Sequence, residues 1–340
     1  MSRSRTSPLT RRGLLAAGGA AGLSALLAAC GEDGGGSGSG EGGAWSFTDD
    51  RKKKVELDGQ PKRIVAFTGT AAALHDFGVD DQVVGVFGPT KLKNGKPDPQ
   101  AGELDVDKLE IIGNAYGEFN IEKYAKLRPD LLITNTYEPN ALWFVPEESK
   151  GKILKLAPSV AIKASRVSLL TIINRYAELA ESLGADPKAK KITDAKARFE
   201  KAAETLRKAA KAKGGLKVMA ASGSRDLFYV STPKVNADLM YLRELGVDLV
   251  VPKKLDQAGY FEPLSWENAD KYHADVIMLD NRGQALQPDA LEKVPAWTDL
   301  PAVKADQVIP WASEPRFSYA GSLPLLENLA KTVQDAKKTG

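Results

Sequence analysis

Two stretches of this 340-residue chain present a carboxylate in the same local setting, "NIEKYAKLRPDLLIT" from residue 120 and "SWENADKYHADVIML" from residue 265. Each opens on a capping residue (Asn120, Ser265), then an apolar residue, then a glutamate (Glu122, Glu267). An aspartate follows eight positions after the glutamate (Asp130, Asp275) and opens an apolar run. A carboxylate in a helix's first turn complements the helix dipole by about 0.3–1 kcal/mol, which accounts for one such glutamate. One per half of the chain, in the same register, also makes a two-point docking face for a partner with near-symmetric basic pockets.

A second set of residues clusters at the ends of predicted strands, where α/β folds place ligand contacts. The first half supplies Thr68, Tyr116, Tyr137 and Trp143; the second supplies Arg225, Tyr260, Arg282, Trp311, Arg316 and Tyr319. Rings offer apolar faces and guanidinium groups offer forked donors, a set suited to an oxygen-rich ligand. A tyrosine or tryptophan after a strand serves equally well as a lid over the core. A directly held transition metal would want several histidines or cysteines. The chain has two histidines and one cysteine. His75 falls in a predicted helix and His273 directly before a strand, so both read as structural. "FTGTAAALHDFG" lacks the GxGxxG spacing, no GxxxxGK[ST] loop occurs, and "SGSRD" is not a GxSxG elbow. No enzyme and no cofactor are predicted.

The elements that must position these groups alternate. Strands are predicted at "RIVAF", "VVGVF", "LLIT" and "SVAI" in the first half, and at "KVMAA", "LFYV", "DVIML" and "QVIP" in the second, with helices between them. That alternation argues for α/β units with mainly parallel sheets. Leu169, Ile172, Ile173, Tyr176, Ala180 and Leu183 recur at helical spacing, predicting one helix over 166–183, about 27 Å long and able to cross between lobes. A Lys-, Ala- and Glu-rich helix follows to about Lys213, and a last helix is predicted over 323–338.

The first thirty residues read as export machinery. Arg11-Arg12 precede a small and apolar run, a secretory signal over 1–29 compatible with twin-arginine or Sec export. "LAAC" resembles the bacterial lipobox, which makes Cys30 an acylated N-terminus anchored on the outer face of the cell membrane. A Gly/Ser-rich tether over 30–45 follows. The signal holds four of the 47 basic residues and no acidic one, so the mature chain carries 43 basic against 44 acidic residues. A nucleic-acid surface is not implied. About 295 ordered residues exceed the size at which single cores stop growing. The division expected is an N-terminal lobe over 46–164, a linking helix over 165–184 and a C-terminal lobe over 185–340.

"PKRIVAF", "VVGVF", "FNIEKYAKLRPDLLIT", the single long helix, "SWENADKYHADVIML", "WTDLPAVKADQVIP" and the closing helix together resemble the iron-siderophore and cobalamin class of ABC-transporter substrate-binding proteins. The resemblance covers nearly all of residues 55–338. It implies two Rossmann-like α/β lobes braced by one long helix, with a ligand cleft between them. It also implies that Glu122 and Glu267 pair with arginines of a dimeric permease. Within the hydroxamate-siderophore branch, Tyr137 and Tyr319 fall where ligand-contacting tyrosines lie, and Tyr116 stands where an arginine is frequent. The expected cargo is a ferric siderophore of the hydroxamate type, bound by a monomer. Haem held by Tyr137 or Tyr319, and cobalamin, are alternatives on the same fold.

Overall fold

A computed structural model describes residues 43–340. The expected signal, Cys30 and almost all of the tether lie outside the described residues. The described chain opens with a hairpin that the sequence did not announce, β1 (Trp45–Thr48) and β2 (Lys54–Leu57), paired antiparallel. Trp45 donates its indole N–H to the Ser182 carbonyl at 3.0 Å, and so pins the hairpin across the molecule.

The first lobe is a five-stranded sheet built from β3 (Ile64–Phe67), β4 (Val83–Phe87), β5 (Glu110–Gly113), β6 (Leu131–Thr136) and β7 (Ser159–Lys163). Its order is β5-β4-β3-β6-β7, and every pair is parallel. β3 and β6 are buried along their whole length. The apolar run of β3 and the Leu131–Ile133 start of β6 suit the interior of a parallel sheet, and the polar end of β6, Thr134 to Thr136, is buried with them. α1 (Thr68–Asp76), α2 (Ile121–Lys126) and α3 (Lys150–Leu156) provide the crossovers. Asn120 caps α2 as expected, its Oδ1 accepting from the Lys123 amide at 2.9 Å.

α4 (Leu169–Ser182) joins the lobes and buries the predicted apolar stripe. It is 14 residues long rather than the expected 18, about 21 Å at 1.5 Å per residue. The helix starts late because Arg166 sits at φ 59°, which no right-handed helix accommodates. α5 (Lys190–Ala212) then packs along the closing helix, α10 (Tyr319–Asp335). Phe199, Ala203 and Leu206 on α5 belong to the same buried cluster as Leu326, Leu329 and Val333 on α10. That cluster also contains Ile64 and Ile133 of the first sheet and Val218 and Met278 of the second.

The second lobe comprises β8 (Lys217–Gly223), β9 (Leu227–Ser231), α6 (Ala237–Glu244), β10 (Asp248–Leu249), β11 (Phe261–Ser265), β12 (Val276–Asp280), three single-turn helices α7 (Pro288–Leu291), α8 (Pro295–Thr298) and α9 (Pro301–Lys304), and β13 (Val308–Trp311). Its order is β11-β9-β8-β12-β13, with β10 also on β8. This sheet is mixed: β10 and β12 run parallel to β8 and β13 parallel to β12, while β9 runs antiparallel to β8 and β11 antiparallel to β9. The link from β8 to β9 is only Ser224, Arg225 and Asp226, too short for a crossover and long enough for a hairpin. β11 escaped the sequence reading because Pro263 breaks the pattern; as the edge strand it spares the missing donor. "WENADK" is a short 3₁₀ segment rather than an α-helix.

Strand order reverses between β3 and β6 in one sheet and between β8 and β12 in the other. Ligand crevices open at such reversals, beyond the carboxyl ends of the strands. Both reversals face one cleft.

Candidate ligand-binding cleft

The cleft has a volume of about 620 Å³ and takes residues from both lobes. The loop after β6 supplies Tyr137, Glu138 and Trp143 as one wall. The ends of β8 and β12 and the loop after β13 supply Ser222, Ser224, Asp280, Arg282, Ser313 and Glu314, and the segment entering β11 supplies Asp256, Ala258 and Tyr260.

Arg282 is the centre of the floor. Its Nε lies 3.1 Å from both Asp280 oxygens and its Nη2 donates to Asp280 Oδ2 at 2.8 Å. Its Nη1 donates to Glu314. Burial works against the guanidinium charge, but Asp280 and Glu314 outweigh it and hold the group above its ordinary range. Asp280 is fully buried and also accepts from Ser222 and Ser313 hydroxyls, each at 3.1 Å. A guanidinium has five N–H donors, so two of them stay available to a ligand. Arg282 therefore offers hydrogen bonds with its charge already compensated.

The opposite wall is aromatic. Tyr137 and Trp143 lie with ring centroids 4.7 Å apart, and Tyr116 leans on the far side of Trp143 at 6.1 Å. The Trp143 backbone is fixed by hydrogen bonds to β6, from its amide to Asn135 O at 2.9 Å and from Thr134 Oγ1 to its carbonyl at 2.8 Å. Burial, reinforced by the Glu314 charge, pushes the Tyr137 phenol well above its ordinary range. It is thus a neutral donor at every physiological pH. Its carbonyl accepts from Ser165 Oγ at 2.6 Å, Arg166 Nη1 at 2.9 Å and Tyr260 Oη at 3.2 Å. Tyr260 and Arg166 so tie the segment before β11 to the wall after β6, across the cleft.

Trp311 forms the back of the cleft, buried, with its indole N–H donating to Asp238 Oδ2 at 2.5 Å. Asp256 is consumed locally: its carboxylate accepts from the amides of Ala258, Tyr260 and Phe261 and shapes the turn. In total, four lining carboxylates (Glu138, Asp256, Asp280, Glu314) face one lining guanidinium, Arg282. Arg166 stands behind Glu138 at 2.9 Å. The cleft is net negative.

The pattern of the periplasmic binding protein family matches residues 64–315. This chain belongs to that family. DesE, a ferric-siderophore receptor protein from Streptomyces coelicolor, has a crystal structure that matches with a TM-score of 0.84 at 56% identity, covering 87% of this chain and 100% of that one. The petrobactin-binding protein YclQ from Bacillus subtilis shares the fold at 20% identity, with a TM-score of 0.62 over 86% of this chain and 98% of that one. Among curated relatives, the iron-uptake system-binding protein of Bacillus subtilis is 28% identical over 276 residues, 77% of this chain and 80% of its own length. The family and these neighbours are receptors for substrates, not enzymes, and the two-lobed α/β architecture expected from the sequence is theirs.

Of the residues singled out in the sequence, Tyr137, Trp143, Tyr260, Arg282 and Trp311 line the cleft of this periplasmic binding protein. Tyr116 is 75% exposed at the rim and reaches the cleft only through Trp143. Arg225 is exposed in the β8–β9 turn, outside the lining. Thr68 is not a cleft residue: it is fully buried at the start of α1, bonded to Thr90 Oγ1 at 2.7 Å and Phe87 O at 3.1 Å. Tyr319 is likewise a core residue, because α10 begins at Tyr319 and not at Leu323. It is 6% exposed between Phe77 and Phe199, and its hydroxyl donates to Asn174 Oδ1 at 3.2 Å. Arg316 braces the lobes instead of lining the cleft. It lies 3.6 Å from Asp76, and a Cβ on Gly102 (φ +56°) would stand 1.8 Å from its Nη1, so only glycine lets it pass. Asp280 and Glu314 were missed, since acids near strand ends carry no signal until Arg282 is seen between them.

Glu122 and Glu267 are both exposed, each in the first turn of its short helical segment. The aspartates of the repeat do structural work. Asp130 accepts from the Lys62 and Arg63 amides entering β3, and Asp275 accepts from the Lys217 amide entering β8 at 2.7 Å. His75 pairs with Asp80 and His273 with Asp275, both away from the cleft.

Proposed function

We propose that this protein captures a ferric siderophore of the hydroxamate type and delivers it to the permease dimer of an ABC importer. In this reading it is a monomer held on the outer face of the cell membrane by lipid on Cys30. The observation that carries the cargo assignment is the compensated Arg282 opposite a wall of rings. Ferric iron already enclosed by its chelator asks nothing of the protein but apolar walls and donors to the chelating oxygens. A ferric tris-hydroxamate core is neutral, and a neutral or cationic complex suits a net-negative cleft. A ferric tris-catecholate is trianionic and would meet four carboxylates against one lining guanidinium. The ferric-siderophore role of DesE, at 56% identity, supports the same class. Against haem stand the Tyr137 phenol, which burial keeps protonated, and Tyr319, which lies in the core.

Titration with intrinsic tryptophan emission as readout tests this, because Trp143 and Trp311 both line the cleft. A ferric hydroxamate should quench at sub-micromolar concentration, while its iron-free form and a ferric catecholate should bind at least about tenfold more weakly. Tight binding of haem or cobalamin alone would replace the cargo and leave the fold assignment intact.

A further inference from the structure

We propose that Glu314 sets the charge of the ligand that the cleft accepts, acting as the adjustable counter-ion of Arg282. This rests on the siderophore reading and deepens it. Glu314 divides its carboxylate between the lobes. One oxygen takes the Arg282 Nη1 donor from the second lobe; the other accepts from Trp143 Nε1 at 3.2 Å and Gln100 Nε2 at 3.3 Å, both from the first. Its side chain is 12% exposed, so the charge is only partly screened.

The other carboxylates are committed elsewhere. Asp280 is fully buried beneath the guanidinium and holds two serine hydroxyls as well, so it fixes where Arg282 points. Asp256 is spent on three backbone amides of its own turn, and Glu138 is paired with Arg166. Of the two lining carboxylates that pair with Arg282, Glu314 is the one with solvent-exposed side-chain surface, 12% against 0% for Asp280, and the one that also reaches the first lobe. With it ionised, Arg282 and its two acids carry one net negative charge; without it they carry none. Charge at this range, in a partly desolvated site, discriminates between ligands by at least an order of magnitude.

The experiment keeps the ferric tris-hydroxamate core constant and varies the charge at its terminus. Three ferric complexes of one linear tris-hydroxamate are compared: terminal ammonium, N-acetylated and neutral, and N-succinylated and anionic. The wild-type protein should prefer the ammonium form and bind the succinylated form weakest. In Glu314→Gln the ratio of succinylated to ammonium affinity should rise about tenfold or more. Glu314→Asp, which keeps the charge, should retain the wild-type order even where affinity falls. Gln100→Leu removes one arm of the bridge without touching charge and should leave the ratio unchanged. An unshifted ratio in Glu314→Gln, or an equal shift in Gln100→Leu, would show a merely structural bridge and overturn the inference alone. Wild-type protein that binds none of the three complexes overturns the siderophore reading and this inference with it.

Discussion

Asp238 ties a titratable group to the cleft wall. It lies in the first turn of α6 and takes the Trp311 indole N–H. Burial pushes its carboxyl up to about 6, opposed by Trp311 and by the backbone amides of Leu239 and Asp238 itself. Because the folded value lies above the ordinary 3.8, ionisation costs the folded state. The contribution to stability is complete below about pH 3.8 and is lost as pH rises through about 6. Asp238→Asn keeps an acceptor for Trp311 but cannot ionise. Between pH 4 and 7 the wild type should lose about 2 kcal/mol relative to this variant in urea unfolding. A step in tryptophan emission centred near pH 6 should accompany it and vanish in Asp238→Asn. Parallel stability profiles for the two proteins would refute the coupling.

At the scale of elements, the cleft depends on a segment that has no regular structure of its own. Residues 251–260 cross between β10 and β11 and present Asp256, Ala258 and Tyr260. Glu262 on β11 fastens that segment from below. Its Oε2 accepts from the Lys253 and Lys254 amides at 2.9 and 3.0 Å and from the Tyr272 hydroxyl at 2.6 Å, and its other oxygen pairs with Lys271. Burial opposes ionisation here, but Lys271, Tyr272 and the two amides outweigh it and hold the carboxyl at about 2. The sign is therefore opposite to that of Asp238: stability from Glu262 is full above the ordinary 4.5 and is lost as pH falls toward 2. Glu262→Gln should cost roughly 2 kcal/mol at pH 7, with the gap closing between pH 4.5 and 2. Ligand affinity should fall with it, since Tyr260 loses its footing. Unchanged affinity in a destabilised variant would mean that the segment is held by Asp256 and Arg166 alone.

For the whole molecule, the repeated glutamate gains its meaning from what its neighbours do. Asp130 and Asp275 clamp the entry to β3 and β8, the strands paired with β6 and β12, so the eight-residue spacing follows from the same local arrangement in both lobes. Glu122 and Glu267 take part in none of that; they stand exposed on corresponding corners of the two lobes, outside the cleft. In the proposed role they meet a permease with two basic pockets. Alanine at both positions should abolish siderophore uptake in cells while the dissociation constant of the purified protein stays within about twofold, a change under 0.5 kcal/mol. A matching loss of affinity would assign the pair to the ligand site instead of the docking face.

Periodicity and punctuation were enough to place most elements. β4 was read to the residue, Asn120 was recognised as a cap, and the apolar stripe of α4 was seen, because each depends on local spacing that a linear chain displays. Boundaries failed where local rules compete. Arg166 adopts a left-handed conformation no propensity announces, Pro324 hid an α10 that already begins at Tyr319, and Pro263 disguised an edge strand. The site divides in the same way. That ligand contacts gather at strand ends is topological, and Tyr137, Trp143, Tyr260, Arg282 and Trp311 follow from it. Which strand-end side chain turns to the cleft and which to the core depends on the packing of α1 and α10 against the sheets, and that sent Thr68 and Tyr319 inward. The electrostatic character of the cleft was beyond the linear chain altogether. Arg282 alone suggests an anion site; only the fold sets Asp280 beneath it and Glu314 beside it, where proximity in a partly dry cleft cancels its charge.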